Sequence, residues 1–137
     1  MAFPHSRLRR LRQSSEMLSL TSETRLSVED FVYPIFVIHG HGKKIPIEPM
    51  PGMFQLSVDM LAAEIREVRS LGIQSVLLFG IPEIKDGIGS GGTDTNGVIQ
   101  IAIREIKSVD PDVIVMTDVC LCDYTDHGHC GVIEGSN

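Results

Sequence analysis

Two short apolar runs, "IQSVLLFG" (73–80) and "VIVM" (113–116), each follow a stretch with helical periodicity, and this alternation narrows the fold more than any other feature. A near-continuous apolar run bounded by turn residues suits a strand buried on both faces, as in a parallel sheet flanked by helices. Before the first run, "SVDMLAAEIREVRSLG" places Val58, Leu61, Ile65 and Val68 on one apolar stripe. Ser57 is the expected N-cap of that helix and Gly72 its C-terminal stop. Before the second run, residues 96–109 repeat the pattern with Val98, Ile99, Ala102, Ile103 and Ile106, until "DPD" (110–112) breaks it. Upstream, "FVYPIFVI" (31–38) has strand composition, but Pro34 has no N–H to give a ladder. The strand is therefore expected over Ile35–Ile38, with Pro34 at its entrance and "HGHGKKIPIEPMPGM" (39–53) as a loop.

The order strand, helix, strand, helix, strand implies an α/β chain with parallel strands and right-handed crossovers. At 137 residues and 42% hydrophobic, it can bury a real core. Three strands and two helices would still leave one sheet edge and much of both faces bare. A complete (β/α)8 barrel takes about 250 residues. The expectation is the first part of something longer, since "EGSN" closes the sequence with no third helix.

The net charge of −6 argues against a nucleic-acid binder, but the sign is uneven. Residues 1–15 carry Arg7, Arg9, Arg10 and Arg12 and no acid, which fits an arm meeting RNA, a membrane or an acidic partner surface, or a transit peptide. No apolar run suits a secretory signal or a bilayer span. Three cysteines, all within 120–130, are too few for a secreted disulfide framework, so a reducing, cytoplasmic setting is expected.

Two motifs invite chemistry. "GIGSGG" (87–92) fits G-x-G-x-x-G through Gly87, Gly89 and Gly92, with Asp112 placed as a ribose-binding acid would be. A dinucleotide fingerprint needs those glycines at the tight turn between strand and helix. Here "GIPEIKD" and Thr93–Asn96 intervene, so the segment reads as a mobile loop at one end of the sheet. The second motif is "TDVCLCDYTDHGHCGV" (117–132). If the chain stays extended past the third strand, Asp118, Cys120 and Cys122 share a face, with the two thiols about 7 Å apart at Cα. Cys130 can fold back to give a third sulfur, helped by Gly128 and Gly131. Three thiolates would leave a fourth tetrahedral position of Zn²⁺ open, as catalytic zinc sites do. A redox pair with a spare thiol and inert buried thiols remain alternatives, and His127 or His129 could replace a sulfur.

"TDVCLCDYTDHGHCG" resembles the metal-loop signature of the zinc-type 5-aminolevulinate dehydratases, also called porphobilinogen synthases. "RLRRLR" (7–12), "TRLSVEDFVYPIFV" (24–37), "PMPGM" (49–53), "GIQSVLLFGIP" (72–82), "KDGIGSGG" (85–92), "GVIQIAIREIK" (97–107) and "PDVIVMTDVCLC" (111–122) resemble that family's pattern in the same order. Asp123, Asp126 and the glycine-rich "DGIGSGGTDTNG" depart from it in loop detail. The resemblance implies an arm (1–23) followed by the first three βα units of a (β/α)8 TIM barrel (24–137). It implies condensation of two 5-aminolevulinate molecules to porphobilinogen in tetrapyrrole and haem biosynthesis. It further implies Zn²⁺ on Cys120, Cys122 and Cys130, support from Asp118, a weaker outer role for His129, and any Mg²⁺ outside this chain. The arm would wrap a neighbouring copy in a homo-octamer, with neither nucleic acid nor membrane as partner.

The family's two Schiff-base lysines sit on later strands. The lysines here are Lys43, Lys44, Lys85 and Lys107, none expected on a barrel strand. The chain is therefore expected to be inactive alone. The rival classes are a free-standing, non-catalytic zinc or redox thiol module and a basic-arm RNA or membrane binder.

Overall fold

The structure, a computed structural model, describes residues 9–135; residues 1–8, which include Arg7 of the basic arm, and residues 136–137 of "EGSN" lie outside the described residues. Helix α1 (Ser15–Leu20) begins where the Ser14 hydroxyl accepts from the Met17 N–H at 3.2 Å. All residues from 9 to 32 are exposed, among them Leu20 and Leu26.

Five strands follow: β1 (Val32–Ile38), β2 (Lys44–Pro46), β3 (Phe54–Ser57), β4 (Ser75–Ile81) and β5 (Ile114–Thr117). Helices α2 (Leu61–Ser70) and α3 (Val98–Val109) connect β3 to β4 and β4 to β5. The sheet order is β2-β3-β1-β4-β5, parallel throughout except for β2, which runs antiparallel to β3.

Several expectations need correction. Strand β1 runs through Pro34, which sits opposite Leu77 of β4. Pairing with β3 begins only at Phe36, so a residue without an N–H is accommodated where one flank is unpaired. Residues 39–53 are not all loop, because β2 pairs with β3 as a hairpin. That hairpin lies along Phe36–Ile38 and covers part of the edge expected to be bare. Strand β5 is not buried on both faces. Val113 is fully buried beside it, but Ile114 is 51% and Met116 41% exposed, since β5 is the outermost strand of the sheet among the described residues.

The core forms where the inner stripes of both helices meet one face of the sheet. Leu61, Ile65 and Val68 of α2 and Val98, Ile99, Ala102 and Ile106 of α3 pack on Ile35, Val37, Val76 and Leu78. Each large residue buried there contributes about 1.5–3 kcal/mol of transfer free energy. On the opposite face Phe36 and Phe79, paired in register, stack with centroids 5.2 Å apart.

Ser57 precedes the one-turn 3₁₀ segment Val58–Met60 that leads into α2, but its hydroxyl does not cap the helix. It accepts from the Lys43 N–H at 2.9 Å and donates to Asp59 at 2.7 Å, tying the hairpin to the helix start. Gly72 does stop α2. At φ 86 its N–H reaches Arg69 O and the next N–H, of Ile73, reaches Val68 O, the paired bonds of a Schellman motif. At the far end of α3, Asp110 accepts from Arg69 Nε at 2.7 Å, joining the two helix ends.

Candidate metal centre

Strand β5 delivers the cysteine loop to the C-terminal end of the sheet, the end at which barrel active sites are built. Asp118 prolongs the ladder by donating its N–H to Leu78 O at 3.2 Å. Its carboxylate then accepts the Cys120 N–H at 3.1 Å and fixes the first cysteine just beyond the strand.

Cys120 and Cys122 meet by a different route from the extended alternation expected. The chain turns into a 3₁₀ turn at Leu121–Asp123, which closes the two Sγ atoms to 2.8 Å. Cys130 returns to 3.1 Å from Cys120, and all three sulfurs lie within 4.8 Å of one another. The thiols are free, and a disulfide would need a separation of about 2.05 Å. Zinc–sulfur bonds of about 2.3 Å give a tetrahedron with an S···S edge of about 3.8 Å, so a modest spreading admits the ion. Among the described residues no His, Asp or Glu completes the trio, and the donor set therefore fits three-sulfur coordination of a soft or borderline cation. Beside Cys120 an open cleft of about 320 Å³ runs between Asp118 and the Ile99, Gln100 and Ile103 face of α3.

The thiols are electrostatically unequal. Hydrogen bonds from Cys122 and then Cys130 hold the Cys120 pKa below its ordinary value. Donating to Cys120, together with desolvation, pushes Cys122 up to about 12. Metal binding must displace that proton, so the metal-free protein binds more protons than the complex and raising the pH favours the complex. Zinc affinity is expected to climb from about pH 6 to about pH 8 with net proton release, measured by calorimetry in buffers of different ionisation enthalpy.

The return to Cys130 relies on Thr125, which had no expected role, and on His127, which serves the loop backbone and is outside the sulfur trio. Thr125, only 1% exposed, donates its hydroxyl to His129 O at 2.9 Å. His127 Nδ1 accepts the His129 N–H at 3.1 Å, and its Nε2 lies 3.3 Å from Gly87 O. The His129 ring lies tilted against His127 with centroids 5.6 Å apart, and its backbone carries the bonds. Gly128 uses a positive φ of 73, whereas Gly131 does not.

The glycine segment is tied down rather than free. Asp86 forms a bridge with Thr125, and its carboxylate accepts the N–H groups of Ile88 and Ser90 and the Ser90 hydroxyl. The aspartate before "GIGSGG" was the available signal, since such a residue commonly caps its own turn. Asp112 lies beyond the other end of α3, about 18 Å along a helix of 12 residues, so the glycines and that acid do not form a dinucleotide site.

Comparison with known proteins shows the family and the fold. Residues 5–137 match the family described as delta-aminolevulinic acid dehydratase. The proteins of that name from Halalkalibacterium halodurans and Methanothermus sociabilis are 48% and 46% identical over 128 and 134 residues. Those alignments cover 93% and 98% of this chain but 39% and 42% of the relatives, so the chain spans about two fifths of their length. The crystal structure of delta-aminolevulinic acid dehydratase (porphobilinogen synthase) from Toxoplasma gondii with its product porphobilinogen superposes with a TM-score of 0.84 at 33% identity. That superposition covers 94% of this chain and 37% of the other. The open sheet is accordingly part of a (β/α)8 barrel, present here as three barrel strands, two helices and the added hairpin. The match along almost the whole sequence and the fold it shares with the solved structure make this chain a member of the delta-aminolevulinic acid dehydratase family.

Proposed function

We propose that this chain supplies the metal-bearing part of a porphobilinogen synthase, which joins two 5-aminolevulinate molecules with loss of two waters. The observation that carries the reading is the convergence of Cys120, Cys122 and Cys130 at the C-terminal end of β5. Bound there, Zn²⁺ would supply Lewis acidity to polarise a substrate carbonyl or amine. Asp118 orients Cys120 through its backbone and stands at the strand end facing the cleft, placed to hold or pass a proton. His129 is assigned a supporting place beside Cys130.

The covalent half of the chemistry is proposed to come from outside these residues. Lys44 lies on a strand, but that strand is the exposed hairpin strand β2 and not a barrel strand, and its Nζ sits 4.5 Å from the Phe54 ring centroid. Lys107 donates to Pro111 O and Val113 O, and Lys43 and Lys85 are exposed. A Schiff-base lysine needs a desolvated setting, and all four of these lysines are exposed. The purified, mass-verified 137-residue chain is therefore expected to give no porphobilinogen from 5-aminolevulinate in a colorimetric assay, and steady turnover would refute this.

The exposed arm is assigned to contact with a second copy of the chain, as its uncovered leucines would require burial on a partner. Octamer assembly and a cytoplasmic setting belong to the same proposal; among the described residues no helix is long and apolar enough to cross a membrane. The 2.8 Å approach of Cys120 to Cys122 also supports a second reading, a redox thiol module. Stoichiometric zinc binding that protects all three thiols from alkylation favours the first reading, and a lone reversible disulfide favours the second.

A further inference from the structure

We propose that the glycine segment Asp86–Gly92 is the platform that preforms the metal loop, with Thr125 and His127 as positioning residues that carry its rigidity to Cys130. The proposal rests on the zinc reading above and adds a reason why the third sulfur is already in place. Cys130 is eight residues beyond Cys122 in a segment without regular structure, so its position must be set by tertiary bonds.

Those bonds form a continuous path. The Asp86 carboxylate gathers the N–H groups of Ile88 and Ser90 and the Ser90 hydroxyl, which stiffens the glycine turn from inside. The Asp86 backbone then grips the metal loop on both sides of Thr125. Its N–H donates to Tyr124 O at 3.3 Å, and its carbonyl accepts from the Asp126 N–H at 3.1 Å. The buried Thr125 hydroxyl donates to His129 O. Because His127 Nδ1 accepts from the His129 N–H, its Nε2 carries the proton and donates to Gly87 O. Both backbone groups of His129 are thus held by side chains anchored on residues 86 and 87. Cys130 is the next residue.

Sterics require glycine at one position of the platform, Gly89. A methyl on Gly89 would stand 2.8 Å from Leu121 Cδ1, and Gly89 itself has a φ of 65. Outside the platform, in β4, a methyl on Gly80 would stand 2.5 Å from both the Tyr124 hydroxyl and Ile99 Cγ1. Leu121 and Tyr124 flank Cys122, so a side chain at Gly89 or Gly80 would push the sulfur-bearing turn outward. Gly89 serves the close approach of two protein segments and not of a phosphate.

Zinc affinity is measured in the full chain by competition with a chromophoric chelator, using zinc alone as the probe. Cobalt substitution adds the thiolate-to-metal charge-transfer band, whose intensity counts bound sulfurs. Thr125→Val, which keeps shape and loses the hydroxyl, and His127→Ala, at a half-buried surface position, are each expected to weaken zinc by ~10–100-fold and to diminish the cobalt band. Thr125→Ser should restore both readouts, and the circular-dichroism spectrum of each metal-free variant should match the parent. Parent chain that binds zinc while Thr125→Val and His127→Ala bind it within about twofold overturns the platform alone. Parent chain that binds no zinc overturns the metal reading and the platform with it.

Discussion

Cys130→Ser is expected to weaken zinc binding by well over the ~100-fold that loss of an outer-shell partner can cost. A serine oxygen is protonated at neutral pH and is a poor match for a cation that selects thiolate, so the substitution removes one of three ligands outright. The residue is exposed and lies beyond the last regular element, so the metal-free fold should be unchanged by far-UV circular dichroism. It is also the informative position among the three. Cys120 and Cys122 are brought together by their own local turn and would meet in many folds, whereas Cys130 arrives only if residues 123–129 fold back. Chelator competition supplies the measurement. An affinity within about tenfold of the parent would mean that the ion, if held at all, is held by the local pair, and the three-sulfur centre would be lost.

Leu78→Ala is expected to cost about 2–5 kcal/mol of folding stability, read as a shift in the urea midpoint. Leu78 is fully buried in β4 between the two helices, and removing its branched end leaves a cavity the flanking strands cannot close. The loss is large for a domain whose whole stability is about 5–15 kcal/mol, and larger in consequence here because one sheet face remains half-covered. Ile114→Ala supplies the internal control. Ile114 lies on the same sheet but is half-exposed at the β5 edge, so its truncation is expected to change stability by about 0.5 kcal/mol or less. Equal costs at the two positions would show that β5 is covered in solution, and the assigned edge would be wrong.

The helices and the barrel strands were legible in the primary structure because their signal is local. A stripe such as Leu61, Ile65, Val68 has only one face to bury, and Gly72 is a residue that readily takes the backbone conformation ending it. The three cysteines stood out as a candidate metal site because thiols so close along the chain can converge on one ion. Tertiary structure alone decided the remainder. The β2–β3 hairpin is too short and too rich in proline and glycine to announce itself, and it exists because β1 offers an unpaired edge. Strand β5 reads as buried from composition yet is half-exposed, because burial depends on neighbours that composition does not mention. Hydrophobic period and ligand identity are properties of residues close together along the chain. The distance from Cys130 to Cys120 and the grip of Asp86 on Thr125 depend on segments brought together only by the packed sheet.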